Sequence, residues 1–529
     1  MEVEHEESVV AVSASLLEES RIYERRWWTL GVLCLSLVMI VVANASLNVA
    51  LPTLVRDLHA SPSALQWIVD AYSLVFAGLL LTAGALGDRY GRRLALNVGL
   101  VTFGAASGLA SLASSPAQLI AARAAMGIGA ALVMPATLSV LAHVFPPKER
   151  PRAIAIWAGF AGVGAGLGGV SSGWLLQHFS WGSIFLTNVA VVGVALVAGA
   201  FLVPSSKADH HSALDPGGAL LSIAGLGALI YAIIQAPGRG WTSMPTFVSF
   251  AVAAVILVGF ARWELRTADP MLDLRFFTNP RFTAAASTIT LIFFVMFGMI
   301  FILTQYLQSV LGYSPLEAGV RMLPWAIVYM LSAPRSARLV ERFGQRWVVS
   351  TGLLVVAGGL AVLSRSGLTA NYPLLVVSLV VTAAGMGMVT APSTGAIVAS
   401  LPLNKAGVGS AVNDTTRELG GALGVAVIGS ILSSLYRSNI GTRIAGLPAA
   451  AHAGASSLGA ALQTSRLLPQ PTGRLLATAA RQSYVHAFDL TLIVNVAVAV
   501  LASGFIAWLL RPMPVVVVED EAVAAFEAA

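Results

Sequence analysis

The chain has 529 residues, of which 57% are apolar and only 11% are charged, and its mean hydropathy is +0.81. Since an ordinary soluble domain carries roughly a quarter charged residues, this composition excludes a soluble multidomain protein. The net charge of +6 does not indicate nucleic-acid binding, because the positive residues fall in short loops between long apolar runs.

These apolar runs predict about fourteen membrane-spanning helices, because a helix needs about 20 apolar residues to cross roughly 30 Å of hydrocarbon. They are rich in leucine, alanine and glycine and lack the alternation of barrel strands, so we predict an all-α membrane protein. The predicted spans are residues 27–51, 65–86, 94–113, 117–141, 153–176, 182–203, 216–236, 244–264, 283–305, 317–338, 347–366, 372–399, 408–435 and 485–510.

The positive residues of the short loops collect on one side of the predicted membrane. That side holds Arg89, Arg92, Arg93, Lys148, Arg150, Arg152, Arg266, Arg275, Arg281, Arg342 and Arg346. The short loops of the other side hold only Arg56 and Arg239. The positive-inside rule therefore predicts cytoplasmic tails, residues 1–26 and 511–529, and a long outer loop at about 436–484. We expect a multi-pass protein of the plasma membrane.

A ten-residue segment occurs twice. GALGDRYGRR begins at Gly84 and ARLVERFGQR begins at Ala337, and each follows an even-numbered predicted span. Duplicated halves are typical of secondary transporters, whose substrate site lies between the repeats. We predict six-helix bundles at 27–203 and 283–510, joined by a linker, 204–282, that carries two extra spans.

The first copy of the repeat has features of a mechanical latch. Gly84 allows close helix packing, Asp88 can accept charge-assisted hydrogen bonds, and Arg89 lies next to it. The alternative is that the arginines only set the topology. The predicted cytoplasmic gate comprises Gly84, Asp88, Arg89, Gly91, Arg92, Glu341 and Arg342.

The segment at Gly84–Arg93 resembles the loop motif G-x-L-x-D-R-x-G-R-R/K of the major facilitator superfamily. The stretches LNVALP (47–52), AARAAMGIGAALVMPA (121–136), QYLQSVLGYSPLEAG (305–319) and NDTTRELGGALGVAVIGS (413–430) resemble its fourteen-span drug:proton antiporter branch. The resemblance implies a non-enzymatic exporter of hydrophobic or cationic drugs or antibiotics in exchange for protons, by alternating access. It would need no cofactor, because the proton gradient supplies the energy.

Two positions depart from that branch. Its first span usually carries an aspartate four residues before LNVALP, where this chain has Ala43. Its fifth span usually carries a proline where this chain has Gly169, so the proline kink is lost while glycine packing is retained. Proton coupling should therefore depend on another carboxylate.

Asp70, in the second span, is the predicted proton carrier. It would lie roughly 8 Å below the outer surface, at the depth of Arg123 in the fourth span and Asn44 in the first. Desolvation raises the pKa of a carboxyl group and a neighbouring arginine lowers it, so we predict that Arg123 is the charge partner of Asp70. In the family that the chain resembles, an arginine at this position is linked to proton coupling. The alternative is a static ion pair that fixes helix packing.

Three further charges, Asp414, Arg417 and Glu418, form a second predicted polar cluster. Asp414 and Arg417 are three residues apart and can pair on one helix face. We interpret them as a structural pair or gate contact in preference to a second proton site.

The predicted substrate cavity comprises the aromatic residues Trp67, Tyr72, Tyr306 and Trp325, which suit hydrophobic cations.

Two other functions fit the same features. One is an importer, or a transporter of one dedicated metabolite on the same fold; the other is a membrane scaffold or sensor. An ATP-driven pump is excluded because the sequence has no G-x-x-x-x-G-K-S/T loop.

The single cysteine, Cys34, excludes an internal disulfide, and no metal site is predicted. The expected partners are a drug-like molecule, protons and membrane lipid; we expect no nucleic acid and a monomer.

Overall fold

The computed structural model describes residues 2–146, 149–206, 215–268, 270, 272–400 and 406–510. Its helices are α1 (Glu2–Asp57), α2 (Pro62–Tyr90), α3 (Arg92–Ser111), α4 (Pro116–Val144), α5 (Arg150–His178), α6 (Ser183–Leu202), α7 (Pro216–Arg239), α8 (Met244–Arg266), α9 (Pro280–Gln305), α10 (Pro315–Arg321), α11 (Leu323–Phe343), α12 (Gln345–Leu363), α13 (Tyr372–Ala399), α14 (Ala406–Arg443), α15 (Ala449–His452), α16 (Leu458–Leu467) and α17 (Thr472–Leu509). No strand occurs among these residues, so the all-α prediction is confirmed.

Twelve helices in the described ranges are long and apolar enough to cross a membrane. The other two predicted spans correspond to α5 and to α10 with α11, which are not among the twelve. Charged residues such as Arg335, Arg338 and Arg342 lower the hydropathy of α11. The count of fourteen therefore stays a prediction, although a helix lies at every predicted position.

The segment predicted as a long outer loop, 436–484, is helical over most of its length. Helix α14 continues to Arg443, the short helices α15 and α16 follow, and α17 begins at Thr472. Hydropathy marks only the part of a helix that lies in lipid, so it missed these extensions. The predicted tail 511–529 lies outside the described residues.

The helices pack as two bundles with α7 and α8 beside them. In the first bundle α4 packs on α2 and α3, and α1 packs on α5 and α6; in the second, α14 packs on α9, and α12 packs on α13 and α17. The bundles meet along two seams, α2 against α14 and α5 against α10. Helix α7 contacts both α2 and α14 and therefore covers the α2–α14 seam, and α8 packs on α7.

The sequence repeat is also a structural repeat. Gly91 ends α2 with φ 121° and Gly344 ends α11 with φ 79°, and both occupy the eighth place of the ten-residue segment. Each backbone N–H donates to the carbonyl four residues earlier, Gly87 (2.9 Å) and Val340 (2.8 Å). Only glycine adopts this backbone without strain, so the motif ends the helix sharply. We call the end of the molecule that holds Gly91 and Gly344 the glycine end, and the opposite end the α16 end.

Candidate functional site between the two bundles

Arg123 joins three helices of the first bundle. Its side chain is fully buried; Nε donates to the Ile68 carbonyl (3.0 Å) and a terminal nitrogen donates to Asn44 Oδ1 (2.9 Å). The guanidinium carbon lies 4.3 Å from the centre of the Tyr72 ring. Hydrogen bonds and a cation–π contact offset part of the cost of burying this charge. The predicted proximity of Asn44 and Arg123 is present.

Asp70 is not part of this network. It is also fully buried, and within the described structure neither carboxylate oxygen has a hydrogen-bond partner. The predicted ion pair with Arg123 is therefore not formed. Asp70 lies two residues from both Ile68 and Tyr72, and two residues turn a helix by about 200°, so its side chain leaves α2 on nearly the opposite face.

The face of α2 that carries Asp70 is the face that meets α14. Gln66 and Ser73, which lie four residues before and three residues after Asp70, both approach α14: Gln66 donates to the Ala426 carbonyl (2.9 Å), and the Ser73 hydroxyl lies beside the carboxylate of Glu418. Residues at these spacings share a helix face. Asp70 therefore points into the seam between the two bundles, on the side that α7 covers.

The second predicted polar cluster is present on α14. Arg417 pairs with Asp414 (3.3 Å) and with Glu418 (3.6 Å). The two acidic side chains are almost completely buried, whereas 27% of the Arg417 side chain is exposed. The expected pairing of Asp414 and Arg417 is thus observed, although its role remains a prediction.

The two predicted clusters form one polar region across the seam. Glu418 lies close enough to Arg123 and Tyr72 to interact with both electrostatically, and Arg417 interacts in the same way with Tyr72. Glu418, and not Asp70, is therefore a carboxylate whose charge acts on Arg123. The position along each predicted span gave a depth for Asp70, Arg123 and Asn44, but it did not show that Glu418 of α14 acts on Arg123.

The four predicted cavity aromatics lie in three places. Tyr72 contacts Arg123, and Trp325 stacks on Tyr329 with ring centres 5.4 Å apart. Trp67 instead packs in an apolar cluster formed by α2, α7 and α14, which includes Leu74, Ile230 and Ala422.

Tyr306 lies near the α16 end. It stacks on Phe488 at 4.7 Å and donates to the Gly367 carbonyl (2.7 Å). The structure therefore does not bring Trp67 and Tyr306 to the polar region. Tyr329, which lies near Arg417 and interacts with Thr390 (3.2 Å), takes a place there that the sequence did not indicate.

The predicted gate lies at the glycine end. A Cβ on Gly84 would lie 3.6 Å from Pro135 of α4, which is ordinary close packing. Arg89 is exposed and lies over the Tyr90 ring (5.7 Å), and the Arg92 N–H donates to the Ser206 carbonyl (3.0 Å). The side chain of Asp88 lies outside the described residues. Glu341 and Arg342 are exposed in the last turn of α11. The gate role stays a prediction.

Hydrogen bonds between the bundles lie toward the α16 end. Gln308 of the second bundle donates to the Val49 carbonyl (2.8 Å), and Gln463 of α16 donates to the Val55 carbonyl (3.0 Å). Gln66 of the first bundle donates in the opposite sense, to the Ala426 carbonyl of α14 in the second bundle. The described contacts therefore close the bundles together at the α16 end.

Similar proteins were found both by sequence and by structure. The sequence pattern described as Major Facilitator Superfamily matches residues 33–425 and 292–524. The chain is 38% identical over 463 residues to the multidrug efflux pump LfrA of Mycolicibacterium smegmatis, with 87% of this chain and 91% of that protein covered.

Two other relatives are similar over comparable lengths. The tetracenomycin C resistance and export protein of Streptomyces glaucescens is 32% identical, with 91% of each chain covered. The methyl viologen resistance protein SmvA of Salmonella typhimurium is 35% identical, with 88% of this chain and 95% of that protein covered.

The fold also matches a solved structure. The inward-facing, unoccupied crystal structure of a bacterial homolog of the human lysosomal transporter Spinster superposes with a TM-score of 0.64. The sequence identity is 18%, and 93% of this chain and 99% of that chain are covered, so this likeness bears on the fold alone. Together with the pattern match and the three relatives, the two bundles and the repeated segment lead to one conclusion: the chain belongs to the Major Facilitator Superfamily.

Proposed function

We propose that this chain exports drug-like molecules in exchange for protons, by alternating access between its two bundles. The export part is supported by the relatives named as an efflux pump, an export protein and a resistance protein, of which at least 91% is covered. The proton part rests on one observation above all, which is the buried and unpartnered carboxylate of Asp70 in the seam between the bundles.

The proposed orientation places the glycine end in the cytoplasm and the α16 end outside. The concentration of arginine in the loops of the glycine end supports this orientation. The hydrogen bonds of Gln66, Gln308 and Gln463 then close the outer side. In this orientation, an outer side closed by these hydrogen bonds supports the inference of a state that takes up drug from the cytoplasm or inner leaflet.

Asp70 would couple the proton to this movement through the stability of the seam. A charged carboxylate buried without a partner costs several kcal/mol, whereas the neutral acid costs far less. Loss or gain of the proton therefore changes how well α2 packs against α14. A change in the packing of these two helices is what alternating access requires at this seam.

The polar region beside Asp70 has the chemistry of a site for hydrophobic cations. Asp414 and Glu418 supply negative charge, and Tyr72, Trp325 and Tyr329 supply aromatic faces. Arg417 is the partly exposed member of the cluster, so a cationic drug would compete with it for the two carboxylates. A dedicated metabolite with a positive charge would meet the same groups.

The test uses inside-out membrane vesicles that are energised with a pH gradient. We expect drug- or dye-dependent proton efflux from these vesicles with the wild-type protein, and its loss on addition of a protonophore. Asp70→Asn should abolish this proton movement with no loss of folded protein, because the amide cannot release a proton. Asp57→Asn, at the exposed end of α1, is the matched control and should behave as wild type.

Three outcomes would count against the proposal. Coupled transport by Asp70→Asn at the normal rate would remove Asp70 as the proton carrier. Dye accumulation in whole cells that rises with expression would indicate an importer. No effect on accumulation with any of a panel of cationic and neutral dyes would favour a scaffold or sensor.

A further inference from the structure

Gln66 fastens three helices together one turn away from Asp70. It is 2% exposed, and its Nε2 donates to the Ala426 carbonyl (2.9 Å), with the Val425 carbonyl (3.2 Å) and the Ser430 hydroxyl (3.3 Å) also within range. The Ser430 hydroxyl in turn donates to the Ile233 carbonyl of α7 (3.1 Å). The chain of contacts runs from α2 through α14 to α7.

The facing helix is shaped to accept this side chain. A Cβ on Gly429 would lie 2.5 Å from Gln66 Nε2, which no side chain other than hydrogen allows without a shift. Glycine at this position thus lets the amide approach the backbone of α14. Because the amide of Gln66 is buried, its hydrogen bonds to the backbone of α14 add geometric specificity to the closed packing.

A small cavity lies directly on the α16 side of Gln66. Its volume is about 50 Å³, which is room for a few water molecules. The ends of α1 and α2, the helices α9, α14 and α17, and the segment that precedes α16 surround it, and its polar lining includes Gln66, Gln305, Ser433 and Tyr436. Asp70 lies four residues further along α2, about 6 Å beyond Gln66 in the direction of the glycine end.

We propose that Gln66 is the outer gate of the proton site: its hydrogen bonds to α14 separate the cavity from Asp70 in this state. When Gln66 leaves α14, a hydrated proton in the cavity reaches the Asp70 carboxylate and leaves its water behind. Gln66 itself neither gains nor loses a proton. This inference rests on the proposed role of Asp70, and it adds a gating residue and an entry route to it.

The first test measures access to position 70 without any transport. In a Cys34→Ala background, Asp70→Cys introduces the only thiol, because Cys34 is the only cysteine of the chain. A membrane-impermeant thiosulfonate reagent is added to the outside of intact cells, and the labelling rate is measured. We expect Gln66→Ala to raise the rate at least about tenfold, since a 1.4 kcal/mol change in the closed state corresponds to tenfold.

Gln305→Ala is the matched control. Gln305 lines the same cavity, but its Nε2 donates to the Phe301 carbonyl of its own helix (3.1 Å) and does not cross the seam. Its removal should leave the labelling rate of Asp70→Cys unchanged. An equal rise with both variants would show that labelling reports only the size of the cavity, and this outcome would overturn the gate.

The second test measures proton leak in proteoliposomes that contain purified protein and no drug. Gln66→Ala should leak protons under a pH gradient, Gln305→Ala should not, and adding Asp70→Asn to Gln66→Ala should stop the leak. A role of Gln66 in folding alone would not produce a leak that depends on Asp70. Should Gln66→Ala not yield monodisperse protein, Ser430→Ala removes one acceptor and the link to Ile233, and it should give a smaller change in the same direction.

The two proposals fail in different ways. If Asp70→Asn abolishes coupling but Gln66→Ala alters neither labelling nor leak, the gate is wrong and the proton carrier stands. If Asp70→Asn leaves coupling intact, the proton carrier is wrong. The labelling rate of Asp70→Cys then still shows whether Gln66 blocks the path from the cavity to position 70.

Discussion

The two seams between the bundles are built from different chemistry. The α2–α14 seam contains polar and charged side chains, among them Gln66, Asp70 and Glu418, and α7 covers it. The α5–α10 seam is a contact between backbones: a Cβ on Gly319 would collide with the Gly169 carbonyl, and a Cβ on Gly173 would lie 2.5 Å from the Leu316 Cα.

Because of this difference, we expect the two seams to have different roles during transport. A contact between glycine surfaces has no charge to change, so its energy depends on shape and on how closely the helices approach. A contact that holds buried ionisable groups changes its energy when a proton or a cationic drug binds. The α2–α14 seam can therefore sense ligands, whereas the α5–α10 seam can serve as the fixed surface about which the bundles move.

The largest effect is expected from filling the glycine seam. Gly319→Ala places a methyl group against the Gly169 backbone, and overpacking of this kind costs about 1–3 kcal/mol. We expect a loss of dye efflux of about tenfold or more, measured in whole cells, and a lower melting temperature in detergent.

Gly169→Ala is the matched control on the facing helix. Its Cβ would lie 3.7 Å from the Gly319 Cα, which is ordinary contact distance, so efflux should stay close to wild type. Gly169 also occupies the position at which the fourteen-span antiporter branch that the sequence resembles carries proline, and α5 continues as a helix through it. Equal damage from both alanines would mean that the seam does not depend on close approach at Gly319.

A selective effect is expected from neutralising the charged seam. Glu418→Gln removes the negative charge that pairs with Arg417 and acts electrostatically on Arg123 and Tyr72. Transport of a cationic dye should fall by about tenfold, which corresponds to about 1.4 kcal/mol, and transport of a neutral drug should fall much less. Glu317→Gln, an exposed acid in the capping box of α10, is the control. Equal losses for cationic and neutral substrates would indicate that Glu418 only stabilises packing.

The sequence predicted those features that depend on order along the chain. Hydropathy located the long apolar helices, and the repeated segment located Gly91 and Gly344, which both have a positive φ. The spacing of Asp414 and Arg417 predicted their pairing, because residues three apart share a helix face whatever surrounds the helix.

The partner of Asp70 could not be predicted in the same way. Depth in the membrane places Asp70 and Arg123 at one level, but it does not say which neighbour each face of α2 meets. That α2 packs on α4 with one face and on α14 with another is a property of the assembled bundles. The signal that was available is the spacing of Gln66, Asp70 and Ser73, three polar residues on one face of an apolar helix.

The smallest expected effect tests whether the two halves of the charged seam act together. Ser73 of α2 places its hydroxyl beside the carboxylate of Glu418 on α14, and Ser73→Ala removes this contact without opening space for a larger group. A net hydrogen bond contributes about 0.5–1.5 kcal/mol, so the affinity for a cationic dye should change by about two- to tenfold. The measurement is dye binding to purified protein, by fluorescence anisotropy.

The double variant Ser73→Ala with Glu418→Gln makes this test decisive. If the serine acts through Glu418, the double variant should bind no more weakly than Glu418→Gln alone, because residues in direct contact are not additive. If instead the two losses add, Ser73 acts on the seam independently of Glu418, and the polar residues of α2 and α14 do not form one coupled site.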